Sequence, residues 1–260
     1  MFYIKQDTTA YVPILVHWLW YFILYKVYGG NEIMIYAMSD LHGCYDKYVK
    51  MLEKINFNDT DTLYILGDIV DRGPDGIKIL LDIYNRKNVI ALRGNHDYLA
   101  HYLLYQLNPV LDMEDDDMLA QKYHSWLCDG GEPTYNSYEA LSFDDKKKVL
   151  ASMYYMPIYE EIEVNGNKFF LSHTVPDKER MQNFNSLLWQ EFIIGEPEYE
   201  KEYFSDKYIV TGHTPTGFID PKSKGKIWRE NNHIAIDCGA VFGNPLGCIC
   251  LDNFEEYYVE

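Results

Sequence analysis

Short hydrophobic runs alternate with amphipathic stretches through the first hundred positions of the chain. Runs rich in β-forming residues lie at 33–39, 62–66 and 88–92, and a glycine-containing loop follows each of them. Between successive runs, hydrophobic residues recur at the three- and four-residue spacing of a helix face. This alternation predicts strands and helices in turn, and therefore a largely parallel sheet with helices on its faces.

The pattern changes between Tyr98 and Tyr159, where aromatic residues occur at helical spacing. This stretch predicts a helical insertion after the third core strand, forming a lid or the wall of a cleft. Beyond it, hydrophobic runs return with little helix between them, which predicts a second sheet packed on the first. The later predicted strands are 159–164, 168–171, 208–210, 233–236, 246–251 and 257–260.

The loop after the second strand, 67–73 (GDIVDRG), is rich in candidate chemistry. It carries Asp68 and Asp71, and Arg72 directly follows the second carboxylate. Ligands of open α/β sheets bind at the carboxyl ends of the strands, so these side chains are candidates for a functional site.

Metal-ligating residue types also follow the other strands. Asp40 and His42 are two positions apart, so in extended chain their side chains point the same way and can share one ion. Each group alone has an ordinary explanation, such as a core or turn histidine. Their joint occurrence at strand ends favours a metal site, because buried charged groups are costly unless they are paired. The candidate ligands are Asp40, His42, Asp68, Asn95, His173 and His213.

The ligand types indicate which metal and which reaction to expect. Mixed carboxylate, amide and imidazole ligands suit Mn, Fe or Zn better than Ca. Two such ions about 3.5–4 Å apart clamp a phosphate and generate hydroxide for in-line attack. Arg72 and Arg93 lie next to candidate ligands in the sequence, and a guanidinium binds phosphate oxygens with two donors at once.

Charge and cysteine content restrict the partners and the location. The 260 residues include 40 acidic and 23 basic side chains, a formal net charge of -17. Such a chain repels a phosphate backbone, so we expect no nucleic-acid partner. The 5 cysteines form no even disulfide framework, so we expect reduced thiols in a cytoplasmic protein.

The amino-terminal stretch 1–33 is apolar and lies outside this pattern. Its segment from Tyr11 to Tyr28 is at the lower limit of length for a membrane span. Three interpretations are open: a membrane anchor, a helix packed on the domain, or a segment that is not made because translation starts at Met34. We expect residues 34–260 to form the functional domain, with membrane contact only if the extension is made and spans.

The motifs DLHG, GDIVDRG, RGNHD, SH and GHT, in that order, resemble those of the calcineurin-like metallophosphoesterase superfamily over about residues 34–260. Within it, the chain looks most like the phosphoprotein phosphatase branch, including its bacterial and phage members. The resemblance implies an α/β, or mixed α+β, four-layer sandwich of two mixed β-sheets flanked by helices.

The resemblance also implies roles for the matched residues. His96 matches the family's general acid, and Asp71 matches the carboxylate that orients it. Arg72 and Arg93 match the arginines that bind the phosphate oxygens, the phosphate clamps of the family. The ligands matched to the first metal are Asp40, His42 and Asp68, and those matched to the second are Asp68, Asn95, His173 and His213.

Departures from the family pattern narrow the predicted function. Thr214 and Pro215 follow His213, and Pro215 stands where many phosphodiesterases have the second histidine of GHTH, so the additional histidine ligand is missing. Asp71 is present, whereas tetraphosphatases resembling this branch usually lack it, and this favours the protein phosphatases. A third phosphate-binding arginine is absent after Trp189, where Gln190 follows; we consider Arg180 as its substitute.

We therefore predict a metal-dependent serine/threonine protein phosphatase. In this phosphomonoesterase, metal-bound hydroxide attacks the phosphate of a phosphoprotein or phosphopeptide directly, with manganese as the first choice of metal. One alternative is a symmetrical bis(5'-nucleosyl)-tetraphosphatase, which applies the same chemistry to dinucleoside polyphosphates. Another is a metal-free binding scaffold on the same fold, against which the six intact candidate ligands argue.

Overall fold

The computed structural model describes residues 33–106 and 117–260, and residues 34–260 form one compact unit. The three interpretations of the amino-terminal extension concern residues outside these ranges, so they stay predictions. Within the described ranges, no helix has the length and hydrophobicity needed to cross a membrane.

The described residues contain strands and helices in the predicted order. The strands are β1 Ile35–Met38, β2 Thr62–Ile65, β3 Val89–Ala91, β4 Tyr159–Val164, β5 Asn167–Ser172, β6 Tyr208–Thr211, β7 Trp228–Glu230, β8 His233–Ala235, β9 Leu246–Cys250 and β10 Glu256–Val259. The α-helices are α1 Tyr45–Lys54, α2 Gly76–Tyr84, α3 Asn95–Gln106, α4 Asp117–Trp126, α5 Glu132–Glu139, α6 Phe143–Tyr154, α7 Lys178–Gln182 and α8 Thr216–Ile219.

The strands form two mixed sheets, as predicted. The first sheet has the order β10-β9-β1-β2-β3, in which β1, β2 and β3 are parallel and β9 is antiparallel to β1. The second sheet has the order β4-β5-β6-β8-β7, in which β5, β6 and β8 are parallel. Both edge strands of the second sheet, β4 and β7, run antiparallel to their neighbours.

Alternation along the strands produces the layers. Ala37 of β1 packs in one core cluster with Phe169 and Leu171 of β5, so this cluster lies between the two sheets. Met38, the next residue of β1, packs instead in the cluster that contains the buried faces of the helices α1 to α6. Phe170 packs in a third cluster on the outer face of the second sheet. Successive side chains of a strand point to opposite faces, and this gives the four-layer arrangement.

The sequence pattern missed strand β7. It pairs with β8 through Glu230 and His233, and Asn231 and Asn232 form the two-residue turn between them. Both asparagines have positive φ, at 52° and 56°, as a type I′ hairpin turn requires. A three-residue strand is too short to show alternation, so the Asn-Asn turn was the available signal.

The predicted helical insertion is present as helices α3 to α6. Trp126, at the end of α4, is only 1% exposed and packs with the helices that cover the first sheet. A wide turn at Leu127–Gly131 follows it, with Gly130 at φ 100°. This turn contacts the loop after β2, because the backbone N–H of Arg72 donates to Gly130 O at 2.7 Å. The insertion therefore packs directly against the loop that carries Asp68.

Candidate metal centre

The loops that follow β1, β2, β3, β5 and β6 lie side by side and carry all the predicted ligands. The backbone N–H of Asp40 donates to Gly67 O at 3.1 Å, which joins the first two loops. The backbone N–H of His213 donates to Asp40 Oδ2 at 3.0 Å, which joins the two sheets. The packing of the two sheets thus brings residues more than a hundred positions apart into one cluster.

Several of these residues have a left-handed backbone that side chains other than glycine rarely adopt. The φ angle is 52° at Asp40, 53° at Asp68 and 68° at His213. Each such conformation costs of order 1–3 kcal/mol and persists where the surrounding structure holds it. The packing is tight as well, since a Cβ on Gly94 would lie 2.1 Å from Asp68 Oδ1. The loops therefore give up local stability to hold the functional side chains.

Asp68 lies between two groups of histidines. Its Oδ2 is 3.5 Å from His42 Nε2 and 3.5 Å from His173 Nε2, and its Oδ1 accepts from the backbone N–H of His96 at 3.0 Å. Burial raises the pKa of Asp68, but the surrounding imidazoles, with His173 the strongest, outweigh it and hold that pKa well below its ordinary value. The carboxylate is therefore ionised and faces both groups.

His173 shows that the group formed with Asn95, His213 and Asp68 fits a cation. Its Nδ1 lies 2.7 Å from Leu66 O, which only accepts, so this nitrogen carries the ring proton. Burial lowers the pKa of His173, so its Nε2 presents a lone pair. Asn95 Oδ1 and His213 Nδ1 each lie 3.0 Å from that Nε2. This donor set of imidazole, amide oxygen and carboxylate fits Mn, Fe or Zn.

The second group consists of Asp40, His42 and Asp68. His42 Nδ1 lies 2.9 Å from Val70 O, which leaves Nε2 to face Asp68. Burial lowers the pKa of His42 to about 4, so the ring is neutral and can ligate. Burial also raises the pKa of Asp40 well above its ordinary value, and the charges of Asp237 and Asp68 add to this effect. Buried carboxylates this close together fit a site that a divalent cation neutralises.

Ligand atoms converge in two sets, neither of which includes Asp40. Those of His42, Asp68 and His96 lie within 4.8 Å of one another, and so do those of Asp68, His173 and His213. His96, predicted as the general acid, is therefore as close to Asp68 as a metal ligand would be. These distances alone do not separate a metal ligand from a proton donor. The hydrogen-bond partner of His96 distinguishes it from the ligands.

His96 contacts Asp71, as predicted. His96 Nδ1 lies 2.8 Å from Asp71 Oδ2. Burial lowers the pKa of His96, but the hydrogen bond to Asp71 and the charges of Asp68 and Asp71 outweigh it, so that pKa is raised above its ordinary value. The ring is therefore suited to hold a proton near neutral pH, as a proton donor requires.

The two predicted phosphate clamps differ in their contacts. Arg72 places Nη1 against His42 Nε2 and Nη2 2.9 Å from His96 Nε2, so its guanidinium lies across the site. Arg93 instead donates through Nη2 to the carbonyl oxygens of Met153 at 3.2 Å and Tyr154 at 2.6 Å, at the end of α6. In this structure Arg72 belongs to the cluster, while the described contacts of Arg93 tie the insertion to β3.

The suggested substitute, Arg180, pairs with Glu191. Its Nε and Nη2 each lie 2.9 Å from a carboxylate oxygen of that residue on the exposed surface. The structure brings it to no predicted ligand, so it provides no support for Arg180 as a third phosphate arginine.

The sequence reasoning missed residues that hold the site from behind. Asp97 is fully buried, and its carboxylate accepts from the backbone N–H groups of Asp68 at 2.8 Å, Ile69 at 3.0 Å and Gly94 at 3.0 Å. The signal was an acidic residue in the first turn of α3, where unpaired backbone donors favour carboxylates. Asp237, also buried, accepts from Gly239 N at 2.8 Å and lies near Asp40.

Trp126 and Thr134 were missed as well. Trp126 Nε1 donates to Asp71 Oδ2 at 2.8 Å, and Thr134 Oγ1 donates to Asp71 Oδ1 at 2.7 Å. Both belong to the helical insertion, and no local sequence signal links them to the loop at 67–73. The insertion therefore positions the partner of the predicted proton donor.

Comparison with known proteins identifies relatives that are named bis(5'-nucleosyl)-tetraphosphatases. A protein of Oceanobacillus iheyensis named bis(5'-nucleosyl)-tetraphosphatase PrpE [asymmetrical] is 25% identical over 236 residues, 80% of this chain and 85% of that protein. A symmetrical bis(5'-nucleosyl)-tetraphosphatase of Buchnera aphidicola is 48% identical over 125 residues, 45% of this chain and 43% of that protein. The chain thus spans less than half the length of the symmetrical relative.

Solved structures share the fold. A protein described as a candidate diadenosine tetraphosphatase superposes with a TM-score of 0.62 at 16% identity, covering 87% of this chain and 92% of that one. A serine/threonine phosphatase of Saccharomyces cerevisiae superposes with a TM-score of 0.52 at 15% identity, covering 85% and 73%. The model of the calcineurin-like phosphoesterase family matches residues 33–239, most of the chain, and the protein belongs to this metallophosphoesterase family.

Proposed function

We propose that this metallophosphoesterase hydrolyses dinucleoside polyphosphates. The observation that carries the proposal is the similarity to the asymmetrical tetraphosphatase of Oceanobacillus iheyensis, which extends over 80% of this chain and 85% of that protein. The alternative from the sequence analysis thus has more support than the preferred protein phosphatase.

Asp71 no longer favours a protein phosphatase. Its carboxylate holds His96 Nδ1 and accepts from Trp126 and Thr134, contacts that orient a proton donor for any phosphate leaving group. The presence of Asp71 therefore indicates that the reaction uses a proton donor, and it does not distinguish a dinucleotide substrate from a phosphoprotein.

The proposed ligands would hold two divalent ions, which we expect to be manganese. One set is Asp40, His42 and Asp68, and the other is Asp68, Asn95, His173 and His213. When bound, the ions supply positive charge to the phosphate oxygens and lower the pKa of a coordinated water. The acceptor groups that converge on His173 Nε2 argue against a metal-free scaffold.

Arg72 and His96 act on the substrate in this proposal. Arg72 Nη2 lies 2.9 Å from His96 Nε2, so the guanidinium and a proton on Nε2 compete for the same place. When the guanidinium turns to the phosphate oxygens of the substrate, Nε2 is free to carry a proton. His96 then donates that proton to the leaving oxygen, while Asp71 keeps Nδ1 protonated and the ring oriented.

A phosphomonoesterase acting on phosphoproteins is the second candidate. The observation in its favour is the fold, which this chain shares with the serine/threonine phosphatase of Saccharomyces cerevisiae. This candidate uses the same metal ligands and the same proton donor, so substrate preference alone separates the two.

A substrate panel tests the proposal. The purified chain is supplied with Mn²⁺ and offered diadenosine tetraphosphate, a phosphoserine peptide, a phosphothreonine peptide and a phosphotyrosine peptide. We expect the highest kcat/KM for the dinucleotide, and chromatography of the products distinguishes two ADP from ATP plus AMP. A higher kcat/KM for any phosphopeptide would overturn the proposal in favour of the second candidate.

A further inference from the structure

Phe242 is an exposed aromatic residue next to the candidate site. It lies on the turn Ala240–Phe242, and 61% of its surface is exposed. The Cζ of Arg72 is 5.5 Å from the centre of its ring, within cation–π distance. The same guanidinium contacts His42 and His96, so the ring borders the cluster of predicted ligands and catalytic residues.

Side-chain hydrogen bonds from Lys47 and Asn244 hold the backbone of the turn that carries Phe242. Lys47 Nζ donates to Ala240 O at 3.2 Å and to Asn244 O at 2.6 Å. Asn244 Nδ2 donates to Gly239 O at 3.3 Å. These bonds hold the backbone of the turn and keep the ring at the surface, where it does not enter a hydrophobic core. An apolar ring fixed in this way has a face available for a ligand.

We infer that Phe242 stacks on a nucleobase of the substrate while Arg72 holds a neighbouring phosphate. Aromatic side chains stack on bases without selecting among them, because every base presents a π face. Arg72 is placed between the imidazoles and the ring, so a phosphate bound to it brings the attached nucleoside towards Phe242. This inference rests on the proposed function and identifies one base-binding residue for it.

A purely structural role for Phe242 makes a different prediction. If the ring only steadies Arg72, its loss weakens the binding of every phosphate compound to the same extent. If the ring stacks on a base, its loss weakens the binding of the dinucleotide and does not change the binding of a polyphosphate without a base. The comparison of the two ligands therefore separates the roles.

The experiment measures KM and kcat for diadenosine tetraphosphate and the inhibition constant of inorganic tetrapolyphosphate, with Mn²⁺ present. We expect Phe242→Ala to raise KM about 10-fold with little change in kcat and no change in the inhibition constant. Phe242→Trp should restore a low KM. The control is Phe143→Ala, because Phe143 is 67% exposed and lies 4.1 Å from Lys147 Nζ in α6, a similar aromatic–cation pair among residues with no predicted site role.

Each outcome bears on a separate statement. The stacking role is overturned if Phe242→Ala weakens the binding of the dinucleotide and of tetrapolyphosphate equally, or if KM for the dinucleotide does not change. The proposed function stands in either case. Failure of the unsubstituted protein to hydrolyse the dinucleotide, with phosphopeptides hydrolysed, overturns the proposed function and the stacking role together.

Discussion

Asp71 Oδ2 lies 2.8 Å from His96 Nδ1 and also accepts from Trp126 Nε1 at 2.8 Å. The carboxylate thus links the loop after β2, the first turn of α3 and the helical insertion. It is completely buried, and each of its oxygens has a donor. This arrangement orients the imidazole and raises its pKa, which are the two properties that a proton donor needs.

Replacing His96 with asparagine tests the proton donor. We expect His96→Asn to reduce kcat for the best substrate by about 10²–10⁴-fold, the usual size of a general acid–base contribution. The metal content, measured by elemental analysis, should not change, since His96 is assigned to proton transfer. A kcat near that of the unsubstituted protein, or a loss of bound metal, would contradict this role.

Asp71→Asn should change the pH dependence of the reaction. The carboxylate raises the pKa of His96, so its neutralisation lowers that pKa. Activity needs the protonated imidazole and is lost as pH rises through this pKa, so the alkaline limb of kcat/KM should move to lower pH. Thr134→Val is the control, because it leaves the carboxylate charge in place. An alkaline limb at the same pH in Asp71→Asn would argue against the pairing.

The two arginines should respond differently to truncation. Arg72→Ala should lower kcat/KM by about 10–100-fold, the loss of charge-assisted hydrogen bonds to phosphate. Arg93→Ala should have the smaller effect on kcat/KM and the larger effect on thermal stability, because Arg93 donates to two carbonyl oxygens at the end of α6. Steady-state kinetics and thermal unfolding of both variants measure this. A larger loss of kcat/KM in Arg93→Ala than in Arg72→Ala would assign phosphate binding mainly to Arg93.

Metal binding should depend on Asp68. Its carboxylate faces both histidine groups, so Asp68→Asn removes a negative ligand from both proposed sites. After reconstitution with Mn²⁺ and removal of free metal, we expect the variant to retain about half the bound metal or less. A chelator should inactivate the unsubstituted protein, and added Mn²⁺ should restore its activity. Asp59→Asn, at an exposed carboxylate, is the control. Equal metal content in the two variants would exclude Asp68 as a ligand shared by the two sites.

The substrate is the point on which the motif resemblance and the comparisons with known proteins differ. The aspartate of the DRG motif favoured a protein phosphatase, yet its partners in the structure are a histidine, a tryptophan and a threonine. These contacts explain why the residue is needed without reference to the substrate. Phe242, which we infer to contact the substrate, lies in a turn whose sequence resembles the family but to which the motifs gave no role.

The sequence by itself determined the strands and the predicted ligands. Strand patterns are local, and the ligand types follow each strand within a few residues, as Asp40 and His42 do after β1. Neighbouring parallel strands bring the loops of the first sheet together, so the adjacency of the Asp40 and Asp68 loops followed from the pattern. His173 and His213 reach Asp68 only because the second sheet packs on the first. The predicted strands, the two mixed sheets and the helical insertion are therefore confirmed, although strand β7 was missed, and the roles of the ligands stay predictions.

Only the tertiary structure decided which groups hold the site in place. Trp126 and Thr134 are 55 and 63 positions from Asp71, and Arg93 donates to carbonyl oxygens 60 and 61 positions away. Hydrogen bonds over such separations depend on how the insertion packs against the sheet, and no short-range pattern records that packing. Local periodicity encodes the elements and their chemistry, whereas the contacts between elements arise only when the chain folds.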